Sequence, residues 1–394
     1  MRRAALVLLF FCACGGPSAP PRVVAEAVAP KPVTAPPLQV VDDGASRVGG
    51  DVSPIELALT SSRYCLRLEG IIHCSKSSGP DGPLADAPRI EGIDDATSIA
   101  LSRGDFGCAT TRRGTVHCWG SNNWGQLGAS LRDERSEKPV QVSGITTARK
   151  VFAADGHACA LLTEGSLRCW GRNDGGETGG STSYAPGARE LVEPTPVKDV
   201  SDVLTVGVAY GSTCALSRGG KVACWGAPIT HEMMSKNGYG NENAFELTQV
   251  ARADDIAVAS GILCATSGGE IHCYGQNSSL VQGTENKPIP DIRGATKVRI
   301  GGSHACALTR DSKVWCWGYD SGGVLGLPED PQHAYEAHAP VAMSFPSARD
   351  IALSDQMTCA VVSLDEVYCV GTWPYNGATP NVRVERTPVR IAVR

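Results

Sequence analysis

Aromatic residues make up only 6% of the 394-residue chain, so no large aromatic core is available. No long basic run exists and the net charge is −5, which leaves generic binding to nucleic acid or anionic membranes without electrostatic support. No Gly-x-Ser-x-Gly elbow, phosphate loop or Cys-x-x-Cys pair occurs, and no Asp-box punctuates the repeats. His231-Glu232 opens like a zinc-protease motif, but the second histidine is missing. These absences point away from nucleophilic hydrolysis, nucleotide chemistry and metal catalysis, and no cofactor or metal is expected.

What the chain does hold is 16 cysteines, 14 of them in seven pairs. The pairs are Cys65 with Cys74, Cys108 with Cys118, Cys159 with Cys169, Cys214 with Cys224, Cys264 with Cys273, Cys306 with Cys316, and Cys359 with Cys369. Partners lie nine or ten residues apart and the pairs recur every 42 to 55 residues, the period of a solenoid or propeller. A spacing of ten leaves a three-residue loop, with Gly third in Arg112-Arg113-Gly114, Thr163-Glu164-Gly165 and Arg218-Gly219-Gly220. That is where a type I turn with a bulge needs a left-handed residue. Arg310-Asp311-Ser312 and Ser363-Leu364-Asp365 lack Gly but keep the register. A spacing of nine leaves Glu69-Gly70 or Gly268-Gly269, which suit the primed two-residue turns.

Either way the cysteines fall on the fourth cross-strand pair, a non-hydrogen-bonded position with Cα atoms roughly 4.5 Å apart, within disulfide reach. One bridge within each hairpin is therefore expected. The alternatives are seven pairs of buried thiols or a shared zinc site, the latter disfavoured because structural zinc prefers cysteines two to four residues apart.

Met1-Arg2-Arg3 followed by Ala4 to Phe11 reads as a secretory leader whose apolar run is too short to span a bilayer. It ends in Phe11-Cys12-Ala13-Cys14-Gly15, which resembles a bacterial lipobox, with an aromatic where Leu is commoner. The expected organisation is a signal peptide over 1–13, lipidation at Cys14, a Pro/Ala-rich tether over 14–50 and a propeller over 51–394. Loss of Cys12 and acylation of Cys14 would leave an even fourteen cysteines, the arithmetic of an oxidising compartment. The expected location is the cell envelope, lipid-anchored at the outer membrane, with no other membrane contact.

Each pair lies in the same sentence: an alternating apolar strand such as Val151–Ala154, the Cys hairpin, a Trp-Gly segment, then a Pro-introduced strand such as Lys138–Val142. Four short strands repeated seven times indicate an all-β chain, a seven-bladed β-propeller with one disulfide per blade. The fullest copy, Gly114-Thr115-Val116-His117-Cys118-Trp119-Gly120-Ser121-Asn122-Asn123-Trp124-Gly125-Gln126-Leu127-Gly128, resembles the regulator of chromosome condensation repeat. Later copies are partial, as at Trp170-Gly171-Arg172-Asn173, or worn, as at Val370-Gly371. The resemblance covers about residues 52–394 and implies a seven-bladed ring that acts through broad loop faces. Seven Pro-type strands can be counted. The last, Thr387–Val393, is expected to complete the sheet begun by Ile55–Leu59 and so lock the ring.

Candidate recognition residues lie on long insertions after the Trp-Gly segment, at 180–193, 228–246 and 328–339, which one repeat position would send to one face. The candidates for binding are Trp124, Tyr184, His231, Tyr239, Phe245 and Tyr335, against the bland reading of tolerated surface insertions. His157 and His304, two residues before a Cys, read as structural side chains bonded to a nearby turn. The function expected is a non-enzymatic, monomeric binding module for an unknown protein or peptide. The alternative is a propeller that binds or cleaves envelope polysaccharide. The only conspicuous acidic pairs for that chemistry, Asp94-Asp95 and Asp254-Asp255, read as solvated turns.

Overall fold

A computed structural model describes residues 55–75, 84–129, 133–180, 190–230, 232–234, 241–275, 278–281, 287–329, 336–373 and 383–394. The expected leader, Cys14 and the tether lie outside the described residues, as do Tyr184, His231, Tyr239 and Tyr335.

Seven antiparallel sheets follow one another in chain order, each a blade. They cover Ile55–Cys74, Ala96–Gln141, Ala148–Pro196, Val203–Glu246, Asp255–Gly275, Ala295–Ala342 and Asp350–Ala392, numbered here as blades 1 to 7. The first strand of each blade lies innermost, against the first strands of its neighbours, and the others step outward. Blades 2, 3, 4, 6 and 7 have four strands. In blades 1 and 5 the fourth is reduced to single bridges, His73 to Arg89 and His272 to Pro288. In blade 5 the reason is chemical. Pro288 and Pro290 flank Ile289, so only Ile289 has an N–H for the ladder, given to the Ile271 carbonyl at 2.7 Å.

All seven expected bridges form, each within its own hairpin. Cys65 is bonded to Cys74, Cys108 to Cys118, Cys159 to Cys169 and Cys214 to Cys224. Cys264 is bonded to Cys273, Cys306 to Cys316 and Cys359 to Cys369. Their Cα separations are 4.0 to 4.1 Å, somewhat closer than the spacing expected of an unbridged pair. In every case the two cysteines are direct cross-strand partners, as Cys169 is of Cys159, Cys273 of Cys264 and Cys316 of Cys306.

The turns take the expected forms. Glu69 and Gly70 have φ of 53° and 92°, and Gly268 and Gly269 have 58° and 90°, as a type I′ turn requires. Gly114, Gly165 and Gly220 all have positive φ in the third loop position, and in blade 6 Ser312 adopts it at 62° without being glycine.

After each second cysteine the register shifts in the blades that have a fourth strand, as between Cys118 and Gly120. Gly120, at φ 99°, makes that bulge possible, because a Cβ there would lie 2.3 Å from the Asp105 carbonyl oxygen. The Trp between Cys and Gly turns into the blade-to-blade contact. Trp170, Trp225 and Trp317 are fully buried and donate their indole N–H to carbonyls of the preceding blade: Gln126 at 2.9 Å, Glu177 at 2.9 Å and Leu280 at 3.2 Å.

Ring closure differs from the expectation. Arg383–Ala392 is the outer strand of blade 7, pairing with Glu366–Trp373 through Val367–Ile391 and Cys369–Val389. Among the described residues Ile55–Leu59 pairs with Tyr64–Leu68 and with no strand of blade 7, and it is the inner strand of blade 1. Among the described residues no strand is left over, since each blade is built from contiguous chain. Closure is by packing instead. Ile55, Leu57 and Leu66 of blade 1 share a cluster with Val361, Val367 and Ile391 of blade 7. Two polar contacts add to it, Ala85 N–H to the Val393 carbonyl at 3.0 Å and Arg394 to Glu69 at 2.7 Å.

The two histidines also differ in detail. His157 and His304 are buried, but their Nε2 atoms meet the hydroxyls of Thr213 and Thr358, at 2.9 and 2.8 Å, in the next blade rather than a nearby turn. Burial pushes both imidazoles down to about 3, so they sit neutral between blades.

Candidate functional site

In every blade the inner strand runs toward one end of the ring, which we call the upper face. The turn to the second strand and the connection from third to fourth strand both leave from that end, because the four strands are antiparallel. The segments 180–193, 228–246 and 328–339 overlap connections of this third-to-fourth type and run on into the fourth strands. The connections join Leu167–Arg172 to Glu190–Pro196, Val222–Gly226 to Asn241–Glu246, and Val314–Tyr319 to Ala337–Ala342.

At the axis of this face lies a cavity of about 230 Å³. Small residues at the ends of the inner strands leave the space, among them Thr60, Ser102, Ala154, Ala209, Gly301 and Ser354. Three of their hydroxyls cap the adjoining turns: Thr60 accepts from Arg63 N–H at 3.0 Å, Ser102 from Gly104 N–H at 2.9 Å and Ser354 from Met357 N–H at 3.2 Å. Charge and aromatic surface sit on the rim. Arg103 of blade 2 pairs with Asp355 of blade 7, reaching past blade 1. Asp155, in a turn with φ 24°, has its carboxyl pushed up by burial, with Arg103 and Arg172 acting against that.

Arg172 organises the wall next to it. Its guanidinium lies 4.4 Å from the Tyr210 ring centre and 5.5 Å from that of Trp124, so residues from blades 2, 3 and 4 meet in one stack. It binds both oxygens of Asp174, at 2.6 and 2.9 Å, and approaches Glu177 at 3.5 Å. Burial opposes the Arg172 charge. The hydrogen bonds with Asp174 and Tyr210 and the fields of Asp174 and Glu177 outweigh it and hold the guanidinium protonated. Glu177 is completely buried and burial pushes its carboxyl up. Tyr210 is 54% exposed, one of few large side chains left open to solvent.

Of the sequence candidates, Trp124 thus reaches the rim. Phe245 does not stand in a loop: it lies in the outer strand of blade 4, opposite Cys224, and packs on the core between blades 4 and 5. Arg172, Tyr210, Asp155 and Arg103 are residues that the sequence candidates leave out. One signal points toward this wall: Glu177 occupies the place that Gln126 holds in the fullest copy, a charge where the repeat has a neutral amide. The second acidic pair is committed elsewhere. Asp254 accepts from Gly268 N–H at 2.9 Å, while Asp255 is no solvated turn but the start of an inner strand, bonded to Arg299 and Val298 N–H at 2.9 and 3.0 Å. Among the described residues no group of three His, Cys, Asp or Glu is placed to hold a metal ion.

Fold and rim together define a seven-bladed propeller with an open axial mouth on its connection-bearing face. Models of the regulator of chromosome condensation (RCC1) repeat match residues 113–161, 148–177 and 295–323, in blades 2, 3 and 6. The chain is 27% identical over 280 residues to the mitochondrial RCC1 domain-containing protein RUG3 of Arabidopsis thaliana, covering 62% of this chain and 58% of that protein. It is 24% identical to the ultraviolet-B receptor UVR8 of the same plant over 88% of this chain and 80% of the receptor. The match to the human E3 ubiquitin-protein ligase HERC2 covers 5% of that protein. Among solved structures, human WBSCR16 superposes with a TM-score of 0.65 at 16% identity over 82% of this chain and 85% of its own. Yeast Prp20p, described with its binding to Gsp1p and histones, superposes with a TM-score of 0.59 at 18% identity, covering 75% of this chain and 76% of its own.

Proposed function

We propose that this chain is a lipid-anchored, non-enzymatic binding module of the cell envelope, which recognises a protein or peptide through its upper face. The observation that carries the reading is the Trp124–Arg172–Tyr210 stack. It sets an exposed tyrosine on a support held by Asp174, beside a cavity and among the strand connections of three blades. Rigid aromatic and arginine groups around a pocket are what binding hot spots are made of. RCC1-type repeats add support, since the solved yeast relative is described with protein partners. Seven disulfides fit an oxidising compartment, and the Cys14 lipobox supplies the anchor.

The test is affinity capture from envelope extract with the intact chain and its Tyr210→Ala and Trp124→Ala variants, each checked for an unchanged circular dichroism spectrum. Recovery of a discrete protein that drops about tenfold or more with Tyr210→Ala supports the reading, the size expected of an aromatic anchor. Equal recovery by all three forms sinks it.

A further inference from the structure

A row of side chains on the inner strands carries charge into the axis below the mouth. In each blade the residue concerned pairs with the position two after the first cysteine. It is acidic in blades 1, 5 and 7, as Glu56, Asp255 and Asp350. It is a hydroxyl in blades 2 and 4, as Ser98 and Thr205, and a lysine in blades 3 and 6, as Lys150 and Lys297. In the four non-acidic blades the register shifts immediately before this residue, and such bulges re-aim the side chain that follows.

Pairing the charges leaves a remainder. Glu56 takes Arg67 at 3.3 Å and the Ile99 N–H at 3.0 Å. Asp255 takes Arg299 at 2.9 Å, and Asp350 takes Lys297 at 2.7 Å. The Lys150 ammonium has no hydrogen bond and no ion pair among the described residues and stands 5.5 Å from the centre of the Phe152 ring. The groups whose fields it feels are Glu56, Arg299, Lys297 and Asp350, which belong to blades 1, 6 and 7 on other sides of the axis. Burial, the largest influence, pushes the Lys150 ammonium down, as expected of a cation without a partner. The side chain still keeps part of its surface open. Thr205, in the same row on the next blade, also has a hydroxyl with no hydrogen bond among the described residues.

A charge shielded from bulk water is stable only when something balances it. Here all three carboxylates of the row are already matched by Arg67, Arg299 and Lys297. We propose that Lys150 anchors a site for a small inorganic or carboxylate anion in the axial channel, with the Thr205 hydroxyl as a second donor. The site is separate from the partner-binding face and stands or falls without it.

Full-length protein with ¹⁵N-labelled lysine is titrated with sodium chloride, phosphate or acetate, the ionic strength being held with sodium gluconate, whose anion is bulky. At least one anion should shift the Lys150 Nζ resonance saturably and raise the melting midpoint by several degrees. The midpoint effect should vanish in Lys150→Met and persist in Lys150→Arg. A Lys150 resonance unmoved by all three anions overturns the proposal, as does an anion response equal in wild type and Lys150→Met. If Lys150→Met does not fold, the wild-type resonance decides alone.

Discussion

Trp170 in blade 3 donates its indole N–H to the backbone carbonyl of Gln126 in blade 2 across 2.9 Å of fully buried interface. The same bond recurs from Trp225 to Glu177 and from Trp317 to Leu280, so in blades 3, 4 and 6 one tryptophan fastens a blade to the one before it. The bond also fixes the connection it reaches, since Gln126 Oε1 accepts from Trp124 N–H at 2.8 Å and Trp124 stands at the rim.

Trp170→Phe keeps most of the packing but leaves the Gln126 carbonyl buried without this donor. A loss of about 1–3 kcal/mol is expected, the cost of an unsatisfied buried polar group. Urea unfolding read by far-ultraviolet circular dichroism checks it. An unchanged midpoint would mean that the bond contributes nothing to blade cohesion.

His157 and His304 predict a stability that depends on acid. Both have folded pKa values of about 3 against 6.5 for the free side chain, so the unfolded chain binds more protons between those values. Stability is therefore fully present above pH 6.5 and falls as the pH drops below it, by about 1.4 kcal/mol per pH unit for each histidine at full slope. Replacing both by Gln should flatten that part of the pH profile. Glu177, pushed up by burial, works in the opposite sense and is common to both proteins, so the difference between them isolates the histidines.

Ser312 is a non-glycine residue at φ 62° in a turn where three other blades use Gly. Ser312→Gly relieves that strain and gives back some chain entropy on unfolding, for a net gain of about 0.5–1 kcal/mol. Differential scanning calorimetry should show a higher melting temperature; a lower one would mean that the Ser side chain supports the turn.

Cys14 is the site of lipid attachment that we propose. In a bacterial host, Cys14→Ser should abolish incorporation of an alkyne fatty acid and move the protein from membrane to soluble fractions. Labelling that persists in the variant would rule out this anchor.

The hairpins are fully legible in sequence, because everything that defines them is local. Spacing between cysteines sets loop length, loop length sets the turn, and the turn places Cys108 opposite Cys118 and Cys306 opposite Cys316. The shorter spacing of Cys264 and Cys273 changes the turn and leaves the pairing intact. Contacts between blades are not legible to the same degree. The turn from first to second strand varies, with two residues between Ala154 and His157 but four between Leu59 and Tyr64. Counting back from a cysteine therefore does not say which inner-strand residue faces it, and Lys150 cannot be set in a row with Glu56 or Asp350. The Arg172 stack draws on three blades at once, and its members share no repeat position. Ring closure is misjudged for a related reason. Counting Pro-type strands takes each repeat to begin at a different strand from the one that lies at the axis, which leaves Thr387–Val393 seemingly spare.

Because no strand is exchanged between blades 1 and 7 among the described residues, that seam is one joint among seven, and the described part of the ring begins and ends there. The ring has no privileged starting point. Joining Arg394 to Ile55 through a short linker and opening the chain between Gln141 and Ala148 would cut no sheet and break no disulfide. Such a permuted ring would carry the same mouth, with its ends moved to another joint.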